Sequence, residues 1–173
     1  MGRNPDAILL FFDEGRFGFK PEVGRRWGRK GGSKRVVVRP GYRNFYVFSA
    51  VSPTSGQHFS LLLPWVSTDM MSLYLRELKS YFGTRDLIVV LDQAGWHVST
   101  SLEVPPNIKL IFLPPYSPEL NPVERLWQWL KRHYVRNRWF ESLEQMMDHV
   151  AEALQSPSPD FLTSLCRCSY ILH

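Results

Sequence analysis

Cysteine is scarce in this chain: Cys166 and Cys168 are the only two among 173 residues, separated by a single residue. That spacing is tighter than a C-x-x-C zinc knuckle, and no second pair exists to complete four ligands. The pair therefore reads as reduced thiols with an incidental structural role in a cytosolic protein. Long apolar runs are also missing, and nothing approaches the ~18 residues of a membrane span. The opening MGRNPDAILLFFDEG offers an apolar stretch of only six residues with no small-residue cleavage site, which excludes a signal peptide. The Met1-Gly2 start lacks the small hydroxyl residue that a myristoylation signal needs further on. Internal repeats and low-complexity blocks are absent. With 44% hydrophobic and 14% aromatic residues over 173 positions, the chain is expected to form one domain with an ample core.

Positive charge is present in excess and is unevenly spread. Residues 1–44 hold eleven Lys/Arg against four Asp/Glu, whereas 45–112 hold four against five and 113–173 six against seven. The excess centres on PEVGRRWGRKGGSKR, where Trp27 interrupts a basic, glycine-rich run. A solvated surface loop is one reading. Contact with phosphates, and with an unstacked base through Trp27, is the better one. Arg25, Arg26, Trp27, Arg29 and Lys30 are thus the first candidate DNA-binding residues.

Periodicity orders the elements. Ala7 to Asp13 reads as a buried strand that breaks at Glu14-Gly15, and residues 16–34 as a basic insertion. RVVVR (35–39) is a short strand; Tyr42 to Val51 and His58 to Leu63 form an antiparallel hairpin around a Ser-Pro-Thr-Ser-Gly turn. Ser67 or Thr68 caps a helix through Phe82, with Met71, Leu75, Leu78 and Phe82 on one stripe and Gly83 as its stop. Asp86 to Leu91 is a continuous apolar run of parallel-strand type. A short helix is expected over Trp96 to Glu103, a strand over Ile108 to Leu113, and helices over Pro122 to Tyr134 and Leu143 to Leu154. After SPSPD a short tail follows. This order describes an α/β, ribonuclease-H-like mixed sheet flanked by helices, with a domain over 1–156 and a C-terminal tail over 157–173.

Three acids stand out. Asp13 closes AILLFF, Asp92 closes LIVVL, and Glu124 lies in the first turn of the helix after LPPYSPELNP. Each has an ordinary alternative: the aspartates suit turns, and Asn121-Pro122-Val123-Glu124 matches a capping box with Asn121 as N-cap. Gathered in one pocket, however, the three can hold divalent cations, whose charge offsets the repulsion among buried carboxylates. Two such ions serve phosphodiester cleavage.

The stretches FFDEGRFG, GRRWGRKG, VLDQAGWH and LPPYSPELNPVERLW, in this order over roughly residues 8–155, resemble the catalytic domain of DDE transposases from bacterial insertion sequences related to the mariner group. The 31 residues between Asp92 and Glu124 are similar to that family's second interval. The resemblance implies a ribonuclease-H-like fold and catalysis at Asp13, Asp92 and Glu124, which would ligate two Mg2+ or Mn2+ ions. It further implies DNA partners (transposon ends and a target, typically TA), a homodimeric or higher assembly, and action in the bacterial cytoplasm at the nucleoid. Water would hydrolyse a strand at the element's end, and the freed 3′-hydroxyl would attack the target.

Two departures from the family pattern stand out. Gln93 occupies the place where the family usually has Asn, and the chain begins almost directly at the first catalytic strand. A second reading frame, a truncated copy and an isolated catalytic domain all fit that start, with a separate helix-turn-helix protein or frameshift product as one candidate partner. Strong end binding is not expected of this chain alone. Gln93, His97 and Asn121 are the expected supports around the acids; His97 could meet water or a phosphate near Asp92, with an ordinary packed or exposed histidine as the alternative. Glu14 cannot share a pocket with Asp13 if the strand continues, because successive residues face opposite ways; it suits a supporting place behind the acids, or a turn. Trp127, Leu126 and Leu130 read as core. Lys131, Arg132, Arg136 and Arg138 suit a DNA backbone beside Glu124, or simply a helix end complementing its dipole. Two alternatives stay open: a ribonuclease-H-like nuclease acting on hybrids or junctions, and a non-catalytic DNA-binding fragment.

Overall fold

Strand alternation sets up the architecture. The computed structural model describes residues 7–19 and 43–170. In β1 (Ile8–Gly18), Leu10 and Phe12 pack into one apolar layer while Phe11 and Phe17 pack into another. The central strand is therefore covered on both faces, and its sequence is correspondingly apolar.

Five strands make one sheet in the order β3-β2-β1-β4-β5. β1, β2 (Asn44–Val51) and β3 (His58–Leu63) run antiparallel, whereas β4 (Leu87–Leu91) and β5 (Ile108–Phe112) continue parallel to β1. Helix α1 (Thr68–Phe82) covers one face through Met71, Tyr74, Leu75, Leu78 and Phe82. Ser67 accepts the Met70 amide at its start, and Gly83, at φ 68°, closes its end. A positive φ of that kind is why glycine stops the helix there. The other face is covered by α2 (Val123–Leu130), α3 (Leu143–Gln155) and α4 (Pro159–Leu165), through Leu126, Trp127, Leu130, Val150 and Leu162. The mixed sheet flanked by helices is the expected ribonuclease-H-like arrangement.

Several elements depart from the sequence reading. β1 does not break at Glu14-Gly15; its pairing with β2 continues to Gly18 opposite Asn44. The cross-strand ladder outweighs the local glycine. No helix forms over Trp96 to Glu103. The Ser99 hydroxyl takes the Ser101 amide and bonds the Ser101 hydroxyl, local bonds that compete with helical ones. The expected helix from Pro122 to Tyr134 divides into α2 and a wider turn over Lys131–Val135, closed by Arg136 N–H to the Lys131 carbonyl at 2.7 Å. There the His133 ring bonds the Trp129 carbonyl at 2.9 Å, in place of a regular helical partner. The C-terminal tail contains α4, a helix that the sequence pattern did not reveal, and it buries Leu162 and Cys166. Cys166 and Cys168 are both free and buried. Among the described residues no helix is long and apolar enough to cross a membrane. The basic insertion beyond Phe19 and the RVVVR strand lie outside the described residues.

Candidate active site

The parallel pairing of β1 with β4 brings the two aspartates together. Phe11 stands opposite Val90, and continuing that register by two residues sets Asp13 level with Asp92, just past the last residue of β4. A short 3-10 turn (Pro118–Leu120) and Asn121 then lead into α2, which carries Glu124. Asp13, Asp92 and Glu124 all line one cleft of about 460 Å³. Its opposite wall is the proline-rich loop from Leu113 to Pro118, with Tyr116 fully exposed at φ 57°.

Asn121 is buried and tethers this assembly. Its amide nitrogen donates to the Phe12 carbonyl at 2.8 Å, and its Oδ1 accepts the Val123 N–H at 3.2 Å. Pro122, not the expected Asn121, holds the N-cap position of α2, and Asn121 one residue earlier bonds the first helical amide and bolts the helix to the strand residue preceding Asp13. The capping box does not close, because the Asn121 N–H goes to the Pro118 carbonyl at 2.9 Å. Glu124 is left to the cleft. Its charge is close enough to Asp13 to raise that carboxyl's pKa.

Asp13 is held by a residue that the sequence reading assigned to the core alone. Trp127 is buried as expected, yet its indole N–H donates to Asp13 Oδ2 at 2.7 Å. Trp127 follows Glu124 by three residues, so the two share a helix face; that offset was the available signal. The ring also meets Phe17 edge-on, with centroids 6.1 Å apart. Gly15 makes this approach possible, since a Cβ there would lie 2.8 Å from the Trp127 ring. Burial pushes the Asp13 carboxyl up to about 7; the Trp127 bond counters this, while Glu14 and Glu124 add to it.

On the opposite face of β1, Glu14 accepts two hydrogen bonds on Oε1: His97 Nε2 at 2.8 Å and the Trp96 indole at 2.9 Å. The other imidazole nitrogen, Nδ1, meets Asp92 Oδ1 at 2.8 Å. Asp92 Oδ1 also accepts the Ala94 N–H at 3.1 Å. His97 is buried, as the packed alternative has it, and its ring contacts Asp92 directly. Burial alone would lower the His97 pKa, but the flanking Glu14 and Asp92 carboxylates raise it above its ordinary value. Gln93 lines the cleft, and its amide donates to the Leu113 carbonyl at 2.9 Å, joining the ends of β4 and β5. Glu14 thus stands behind the site rather than in it, in keeping with one of its two expected places, and it is not a turn residue; the contact made by Trp96 was not read from the sequence.

Lys131 places its ammonium over the Phe17 ring at 5.6 Å, and Arg132 and Arg136 are exposed on the wide turn after α2. None of the three lines the cleft. Arg25, Arg26, Trp27, Arg29 and Lys30 lie outside the described residues. Among those described, no three His, Cys, Asp or Glu side chains already converge on one ion position.

Residues 8–147 match the DDE superfamily endonuclease profile. The chain belongs to that family. The DDE domain is 43% identical over 109 residues to the uncharacterized protein y4pE/y4sA of Sinorhizobium fredii, covering 62% of this chain and 81% of the relative. Its identity to the 39 kDa protein of insertion element IS630 of Shigella sonnei is 28% over 156 residues, covering 87% and 46%. Among solved structures, the Mos1 strand transfer complex superposes with a TM-score of 0.70 at 18% identity, covering 95% of this chain and 52% of that one. The DDE domain thus spans about half the length of the insertion-element protein and of the Mos1 chain. These relationships accompany the mixed sheet and the shared acidic cleft of a DDE superfamily endonuclease domain.

Proposed function

We propose that this domain cuts DNA strands and transfers a freed 3′-hydroxyl to a target strand, with Asp13, Asp92 and Glu124 as its catalytic carboxylates. The observation that carries the reading is their meeting at one cleft from three distant positions in the chain. The donor set suits a hard divalent cation. All three side chains offer carboxylate oxygens, and Mg2+ is commonly held by one or two of these, with water and substrate phosphates completing its shell. The high pKa of Asp13 points the same way, since a buried acid among acids gains most from a nearby cation. When bound, two such ions activate the attacking oxygen and stabilise the leaving one.

The chain's own contribution is positioning and charge. The two aspartates sit on adjacent central strands, Glu124 approaches from a helix bolted to β1, and the proline loop walls the cleft. A phosphodiester would be aligned there through cations that the carboxylates of the sheet and α2 would hold, and in-line displacement depends mainly on that alignment. Lys131, Arg132 and Arg136, together with Arg25, Arg26, Trp27, Arg29 and Lys30, supply contacts to the DNA backbone in this reading. The partners are transposon ends and a TA target, engaged by a homodimer. The setting is the bacterial cytoplasm, at the nucleoid.

The test is nicking and strand transfer on DNA bearing the element's ends, with Mg2+ or Mn2+. Asp13→Ala, Asp92→Ala and Glu124→Ala should each abolish both steps while DNA binding and thermal unfolding are retained. Near-normal rates in any one would remove that residue from its role. Cutting of RNA–DNA hybrids or four-way junctions without a strand-transfer product would favour a related nuclease instead.

A further inference from the structure

Asp92 ought to be poorly aimed. It lies just beyond the end of β4, its side chain is 60% exposed, and an aspartate terminal torsion is broad. Yet both its described donors, the His97 ring and the Ala94 N–H, bond the same oxygen, Oδ1. The imidazole in turn cannot rotate freely. Its Nε2 is held by Glu14, it is buried to 2% exposure, and it stands edge-on to Phe12 with centroids 5.6 Å apart. Glu14 is itself anchored on the central strand opposite Phe48, and the Trp96 indole fixes the oxygen that faces His97. A sheet residue is thereby linked through one imidazole to the exposed carboxylate just past the end of a neighbouring strand.

We propose that Glu14 is a positioning residue for Asp92: acting through His97, it reserves Oδ1 for the protein and leaves Oδ2 to face a cation. This inference rests on the reading of Asp92 as a cation ligand. Glu14 does not serve as a ligand itself. Strand alternation turns it away from Asp13, and it does not line the cleft. Its side chain is only 8% exposed, and a buried carboxylate is costly without donors; here both described donors come from the segment that follows Asp92. Trp127 acts on Asp13 in a matching way, taking Oδ2 from the opposite face of the sheet. Each strand-borne aspartate thus has one oxygen committed to the protein. Partners of this kind around a metal ligand typically alter affinity by about 10- to 100-fold.

The experiment measures Mn2+ binding to the DNA-free protein by electron paramagnetic resonance, beside thermal unfolding and nicking. Glu14→Leu, which removes the acceptor at similar volume, should weaken Mn2+ binding about tenfold and slow nicking comparably. Glu14→Gln keeps an acceptor for both donors and should stay within about threefold of the parent. Should Glu14→Leu fail to fold, His97→Phe keeps a ring beside Phe12 without either hydrogen bond and carries the tenfold expectation. Parent-like Mn2+ affinity in a folded Glu14→Leu or His97→Phe protein overturns the proposal, as does equal weakening by Glu14→Leu and Glu14→Gln. Asp92→Asn separates the two readings. If it leaves Mn2+ binding and nicking intact, the assignment of Asp92 as ligand fails; if it abolishes them while the Glu14 and His97 variants bind normally, only the positioning role fails.

Discussion

The indole N–H of Trp127 and Oδ2 of Asp13 meet at 2.7 Å across the interface between α2 and the sheet. One side chain thereby belongs to the hydrophobic core and to the acidic cleft at once. Trp127→Phe should separate these roles. The ring packing against Phe17 is largely kept, so urea unfolding should change by no more than about 1 kcal/mol. The lost donor leaves Asp13 harder to ionise, and Mg2+- or Mn2+-dependent nicking should fall about tenfold, in keeping with about 1.4 kcal/mol for one hydrogen bond to a charged group.

The elevated Asp13 pKa predicts how cations and protons compete. Its folded value, about 7, lies above its ordinary 3.8. The protonated carboxyl therefore contributes stability that is fully present below about pH 3.8 and is lost as pH rises through about 7. A cation reverses this by stabilising the ionised form. The rise in melting temperature on adding Mn2+ should be larger at about pH 8 than at about pH 6. In Asp13→Asn that pH dependence should be largely gone, which differential scanning fluorimetry with and without metal would reveal.

Asn121 bonds Phe12 and Val123 at once from a buried position. Asn121→Ala would strand the Phe12 carbonyl and the Val123 N–H without their side-chain partner. The expected loss is about 2 kcal/mol in equilibrium urea unfolding. Nicking should fall further than stability alone requires, because Glu124 rides on the freed helix. A variant with parent-like unfolding would show that the 3-10 turn, not Asn121, secures α2.

His58 gives a second pH signature, remote from the cleft. Its ring contacts the Leu154 carbonyl at 2.9 Å, joining β3 to the end of α3, and burial lowers its pKa below the ordinary 6.5 despite that bond. The neutral ring therefore contributes stability that is present above about pH 6.5 and is lost as pH falls through its lower folded value. His58→Gln retains a donor for Leu154 without titrating. Its unfolding free energy should decline less than the parent's between about pH 7 and about pH 5.

Much of the frame was legible in the sequence because it rests on periodicity and punctuation. The α1 stripe, its Gly83 stop, the His58–Leu63 strand and the continuous apolar run of β4 are local patterns, and local physics realises them. Failures occurred where a distant partner outweighed a local signal. Gly15 looked like a strand break, but β2 pairs across it and the Trp127 ring occupies the space that its missing side chain leaves. The Trp96–Glu103 segment had helical composition, yet its first two side chains are spent on Glu14 and Asp92 and its serines bond one another.

By itself the sequence determined which residues carry carboxylates, which runs form the sheet, and which family the chain joins, since residue type and short-range spacing are written directly in it. Only the tertiary structure decided what each carboxylate does. Asp13 and Glu14 are neighbours in the chain, but the pleat sends one to Trp127 and the cleft and the other to His97. Their division of labour follows from which face of the sheet each meets, and a face acquires its partners only when the helices have packed against it.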